Sequence, residues 1–97
     1  VRIVLTAHAS LGSRLLEAVL KQEEVAAVFI PGGDPLRPSP LKTLAKESGI
    51  PVYEPAHMRA DGVYEAMAAC KPELGVLAFV QDIVPVATLN CPQRGTI

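Results

Sequence analysis

The chain has 97 residues, enough for one domain, and is 49% hydrophobic and 20% charged, which offsets ordering entropy and excludes a disordered polymer. A formal net charge of −1 supplies neither a basic face for nucleic acid nor an acidic tail for a basic partner. The longest apolar runs, Val25–Ile30 and Val76–Val80, fall far short of the roughly 20 residues that span a bilayer, and no leader pattern opens the sequence.

Arg2–Ala7 is apolar and β-branched without alternation, as in a strand covered on both faces. His8–Ser13 follows as a turn in which Ser10 or Ser13 can accept a backbone N–H at a helix start. Leu11, Leu15, Leu16, Val19 and Leu20 recur at helical spacing and predict an amphipathic helix over 11–22. Glu24–Ile30 is a second buried strand, and Pro31–Pro38 a loop of structure-breaking residues. Ser39 reads as an N-cap with proline at the first helical position, Leu41, Leu44 and Ala45 as the inner face, and Gly49 as the stop.

Ile50–Glu54 is a short strand whose proline places it at a sheet edge. Asp61–Lys71 predicts a third helix with Val63, Met67 and Cys70 inward, and Leu74–Val80 a fourth strand. Gln81–Pro85 turns, Val86–Leu89 makes one helical turn, and Thr96-Ile97 begins a fifth strand. Alternation of this kind predicts an α/β, Rossmann-like three-layer domain over residues 1–97, built on right-handed crossovers and a parallel sheet of order 3-2-1-4-5. Ligands of such sheets gather at the carboxyl ends of the strands where the order reverses, here between the first and fourth strands.

The two cysteines, Cys70 and Cys91, sit in no metal-binding or CxxC spacing and read as reduced thiols of a cytoplasmic protein. His8–Ser13 holds a single glycine, Gly12, so the dinucleotide fingerprint is absent, as is a phosphate loop of the Walker kind. His8 either lines a site or is a plain surface residue. Gly32-Gly33-Asp34 reads as a tight turn before an anion nest. Gln81 and Asp82, flanked by Phe79 and Ile83, offer few polar anchors between apolar walls, the make-up of a small-ligand pocket; Asp82 could equally cap the short helix after it. No catalytic triad, metal cluster or carboxylate pair can be assembled from these residues.

Three segments carry a resemblance: Pro38–Val52 (PSPLKTLAKESGIPV), Lys71–Pro85 (KPELGVLAFVQDIVP) and Cys91–Ile97 (CPQRGTI). In this order and spacing they resemble the amino-terminal domain of the formyltransferase family, which includes methionyl-tRNA formyltransferase and the hydrolase domain of 10-formyltetrahydrofolate dehydrogenase. Asp34-Pro-Leu36 is similar to the dehydrogenase branch, and Ser39-Pro-Leu-Lys42 to the tRNA branch. The resemblance implies a 10-formyltetrahydrofolate site in which the pterin lies beside Leu77, Phe79, Gln81, Asp82, Ile83 and Val84. It also implies that the catalytic His and Asp of the family fall beyond Ile97, so that these residues form a partial domain of a formyltransferase or hydrolase with no catalytic residue of its own. The alternative is a catalytically incomplete module that binds folate or a partner. The His8–Ser13 turn lacks the Gly-Thr-Pro of the tRNA enzymes, and Pro31–Pro38 carries only Arg37 where they have a long basic loop. With the near-neutral charge, this disfavours tRNA as the formyl acceptor and leaves a small-molecule folate as the expected partner.

Overall fold

A computed structural model describes residues 1–8, 12–34, 36–78 and 84–97. Strand β1 (Arg2–Ala7) occupies the centre of a parallel sheet because it is buried on both faces from Ile3 to Ala7. It pairs with β2 (Glu24–Phe29) on one side and β4 (Leu74–Ala78) on the other, and β3 (Val52–Tyr53) adds to β2, giving the order β3-β2-β1-β4. Thr96 makes a parallel bridge to Gly75 beyond β4. There the Ile97 N–H donates to the Gly75 carbonyl at 2.9 Å and the Leu77 N–H to that of Ile97 at 2.8 Å. The fifth position thus begins where the sequence predicts it.

A bulge between Ile3 and Val4 pairs these residues with Val25 and Ala27, leaving Ala26 as the extra residue. The offset lets Val25 join Val28 and Ile30 on one face while Ala27 and Phe29 serve the other. Helices α1 (Ser13–Leu20) and α2 (Pro40–Glu47) cover the first face through Leu16, Leu41 and Ala45, packed on Leu5 and Ala7. The second face holds Val4, Ala27 and Phe29 under Met58 and under Val63 and Met67 of α3 (Val63–Ala69), which α4 (Val86–Leu89) flanks. Phe29 is fully buried, and its ring stacks on Tyr53 at 5.0 Å, which adds about 0.5–1.5 kcal/mol to its burial.

The start of α1 differs from expectation. Its N-cap is Gly12, with no side-chain cap bond, and Ser13 is its first residue; Ser10 and Leu11 lie outside the described residues. Packing overrides capping chemistry here, because a Cβ at residue 12 would sit 2.8 Å from Ala7 Cβ and 2.9 Å from Leu41 Cδ2. The α2 signals hold: the Lys42 N–H donates to Ser39 Oγ at 3.2 Å, Pro40 opens the helix, and Gly49 follows its end at φ +72°. Helix α3 is shorter than Asp61–Lys71 because Gly62 enters it at φ +88° and Lys71 leaves at φ +50°. Among the described residues, no helix is long and apolar enough to cross a membrane.

Candidate functional site

Strands β1 and β4 end side by side: Ala7 pairs with Ala78, and the His8 N–H donates to the Ala78 carbonyl at 3.3 Å. The crossover from β1 reaches β2 on one flank, while β4 lies on the other, so the order reverses at this point and opens the crevice that parallel sheets use for ligands. Leu77, opposite Thr6 near the end of β4, is 36% exposed, and Ile97 lies beside it. Val84 is half-buried against the Val4–Phe29 cluster. These two residues bracket the segment singled out by sequence; its other members, Phe79, Gln81, Asp82 and Ile83, lie outside the described residues. The short helix α4 takes Pro85 as its N-cap, and the reading of Asp82 as a cap lies outside the described residues.

On the other side of His8 lies a cleft of about 390 Å³, walled by the β2–α2 loop, the start of α2 and Glu54 just after β3. A largely buried ion pair supports it. Lys42 Nζ stands 3.3 Å from Glu54 Oε2, with the two side chains 16% and 13% exposed, and donates to the Asp34 carbonyl at 2.8 Å. Lys42 therefore ties three chain segments together. Gly33 makes room for this arrangement, since a Cβ there would be 2.7 Å from Glu54 Oε2.

Gly32-Gly33-Asp34 forms the expected turn: the Gly33 N–H donates to the Ile30 carbonyl at 3.2 Å. Asp34 continues it, accepting the Leu36 N–H on Oδ1 at 2.9 Å and the Arg37 N–H on its carbonyl at 3.0 Å. His8 and Arg37 complete the lining, both exposed at the surface.

Sequence reading placed His8 at this edge but missed the cleft. Lys42 on α2 and Glu54 just after β3 are twelve positions apart, and they meet only once α2 packs beside β3. The one local signal was Glu54 as the last residue of the predicted short strand Ile50–Glu54, at a carboxyl end. Cys70 and Cys91 are free thiols, as expected. Burial pushes the Cys91 thiol upward from its ordinary range, and the neighbouring Cys70 adds to the effect. Among the described residues, no three or more His, Cys, Asp or Glu side chains gather as a metal site.

No family model matches the chain. Curated proteins do. It is 38% identical to methionyl-tRNA formyltransferase of Ectopseudomonas mendocina (strain ymp), over 99% of this chain and 33% of that protein. It is 33% identical to methionyl-tRNA formyltransferase of Xylella fastidiosa (strain M23), over 97% of this chain and again 33% of the relative. The chain thus spans about a third of the length of the curated relatives it matches. Among solved structures, glycinamide ribonucleotide transformylase 1 from Symbiobacterium toebii superposes over 99% of this chain and 49% of its own, with a TM-score of 0.69 at 18% identity, a likeness of fold.

Proposed function

The chain belongs to the formyltransferase family as an amino-terminal domain, and on that premise we propose that it forms the donor-binding part of an enzyme that takes its formyl group from 10-formyltetrahydrofolate. The observation that carries this reading is the 38% identity running along 99% of the chain. The crevice where β1 and β4 end side by side supports it, because that is where a parallel sheet of this order receives a flat ligand.

In this reading the pterin ring lies against the segment after β4. Backbone N–H and C=O groups of Gln81, Asp82, Ile83 and Val84 meet its polar edge, and Leu77, Phe79, Ile83 and Val84 supply apolar walls. Burying the ring there would strengthen each of those hydrogen bonds by lowering the local dielectric. The formyl group would then project toward the end of β1, where His8 stands. In this reading the His and Asp that the family resemblance assigns to polarising the formyl oxygen and managing protons come from outside residues 1–97. We assign the protein to the cytoplasm, where reduced folate is used and where its two free thiols stay reduced.

The relatives' names include a tRNA acceptor. The net charge of −1 and the single Arg37 in the loop after β2 speak against carrying that acceptor over.

The test is a titration of the chain with 5-formyltetrahydrofolate, a stable reduced folate, followed by backbone amide spectra. Saturable shifts centred on Gln81–Val84 are expected. A dispersed spectrum without shifts would reject a folate site formed by these residues.

A further inference from the structure

We propose that Cys70 and Cys91 form a redox modification site, a pair of thiols that the fold brings into register and that closes to an intrachain disulfide when the surrounding thiol pool is oxidised. The site stands independently of the formyl-transfer reading.

Backbone register brings the two cysteines together. The chain after α3 and the chain after α4 run side by side. The Gln93 N–H donates to the Pro72 carbonyl at 3.1 Å, the Arg94 N–H donates to the Glu73 carbonyl at 2.7 Å, and Thr96 bridges Gly75 in parallel. In each of these pairs the second residue stands twenty-one positions after the first. Cys91 stands at that same separation from Cys70, two residues ahead of the first pair. Neighbouring segments of a parallel ladder lie ~4.8 Å apart, and a disulfide joins Cα atoms ~4.4–6.8 Å apart.

Packing agrees with the register. Cys70 is the C-cap of α3, and Cys91 follows Asn90, the C-cap of α4. Both press against the same buried cluster, which includes Val4, Phe29 and Met67. Both are only half-buried, so a small oxidant reaches them. Burial, and after it Cys70, opposes ionisation of Cys91, as expected where one sulfur lies close to another. The backbone on each side is held in place: Arg2 Nε donates to the Cys70 carbonyl at 2.6 Å, and the Cys91 N–H donates to the Thr88 carbonyl at 3.2 Å. Closing the bridge gives up the Cys70 thiol bond to the Ala66 carbonyl at 3.3 Å, a weak one for a sulfur donor.

The bridge would enclose β4 and α4 in one covalent loop and tie the end of α3 to the turn after α4. Helix α4 has only four residues, too few to hold itself as a helix in water, so the tie stiffens the least self-supporting element of this face. The chemistry needs a disulfide of small-molecule class, of which glutathione disulfide is the probe. One cysteine thiolate attacks a sulfur of glutathione disulfide and expels one glutathione thiolate, leaving a mixed disulfide. The second cysteine thiolate attacks the protein-side sulfur, forms the Cys70–Cys91 bond and expels the second glutathione. The two cysteines lose two electrons and two protons, and the glutathione disulfide gains both.

The experiment equilibrates the 97-residue chain with mixtures of glutathione and glutathione disulfide, in buffer and in urea, then alkylates free thiols and reads the mass. In buffer the product should be a monomer two hydrogens lighter, with neither thiol alkylated. Half-oxidation should need about a hundredfold less oxidising mixture in buffer than in urea, because the factor by which the fold favours the bridge equals the factor by which the bridge favours the fold. Tm of the bridged chain should rise by roughly 10–20 °C over the reduced chain, and amide exchange across Val86–Leu89 should slow. Cys70→Ser and Cys91→Ser should each retain one glutathione as a mixed disulfide and show no such rise. Two glutathiones on the folded chain without a bridge, a bridge between two chains, or equal midpoints in buffer and urea would overturn the proposal.

Discussion

Replacing Lys42 by methionine tests whether the cleft is a built structure or a loose surface fold. The substitution keeps the length and apolar stem of the side chain and removes its charge. Removing one partner of a buried pair costs about 3–5 kcal/mol, mostly because the other charge stays desolvated. The Lys42 and Glu54 side chains keep 16% and 13% exposure, so water still reaches them and relieves part of that cost. The hydrogen bond from Nζ to the Asp34 carbonyl at 2.8 Å is lost as well, worth about 1 kcal/mol. The expected total for Lys42→Met is about 2–3 kcal/mol, which in a domain of this size lowers Tm by roughly 10–20 °C. Glu54→Gln in the same background removes the stranded charge, so the double variant should recover about 1–2 kcal/mol relative to the sum of the two single changes. Urea unfolding of the wild type, both singles and the double closes the cycle. Amide exchange at Gly32, Gly33 and Asp34 should quicken in Lys42→Met. A stability within about 0.5 kcal/mol of wild type, or strictly additive singles, would refute the claim that this pair holds the loop.

Three further outcomes follow from the packing. Ser39→Ala should cost about 1 kcal/mol in urea unfolding through loss of the cap on the Lys42 N–H; no measurable change would mean that Pro40 alone sets the helix start. Gly12→Ala should cost about 1–3 kcal/mol, since the added carbon would meet Ala7 Cβ at 2.8 Å and Leu41 Cδ2 at 2.9 Å, and thermal melts at neutral pH will read it. Cys91 has a thiol raised above its reference of 9.0, so the folded state resists its ionisation while the unfolded state does not. Its contribution is intact below pH 9.0 and is lost as pH rises through the folded value; Cys91→Ser should flatten that alkaline decline in a pH series of melts, and an unchanged slope would assign the decline elsewhere.

The sheet was legible because its residues carry their burial in their composition. Arg2–Ala7 lacks alternation because both faces are covered, and β1 does lie at the centre. Pro51 marks Val52–Tyr53 as an edge, and β3 is the edge. Helix ends were legible where a local bond decides them, as at Ser39, and illegible where a distant atom does. At Gly12 the deciding atoms belong to Ala7 and Leu41, so the serine signals on either side pointed to the wrong cap. The cleft was hidden for the same reason: neither Lys42 nor Glu54 differs from a solvated charge until the order of the strands is known. The segment from Leu77 to Val84 drew attention by its place after a buried strand and by resemblance, which are signals of position and ancestry rather than of contact.

The two halves of the carboxyl-end crevice meet at the last residues of β1, and this suggests why the strand is so completely buried. Ala7 pairs with Ala78 at the end of β4, while His8 lines the cleft. Any shift of β1 along its axis would move both at once. It is held against such a shift by ladders on both sides, from Arg2 to Thr6 with β2 and from Ile3 to Ala7 with β4, and by Gly12 turning back onto Ala7. A ligand site that needs fixed geometry is anchored most stiffly on a central strand rather than on a loop. On the formyl-folate reading, changes at Ala7 should therefore impair folate binding even though Ala7 itself is fully buried. Unchanged folate-induced amide shifts at Gln81–Val84 in Ala7→Val, measured on a variant shown to fold, would break the link.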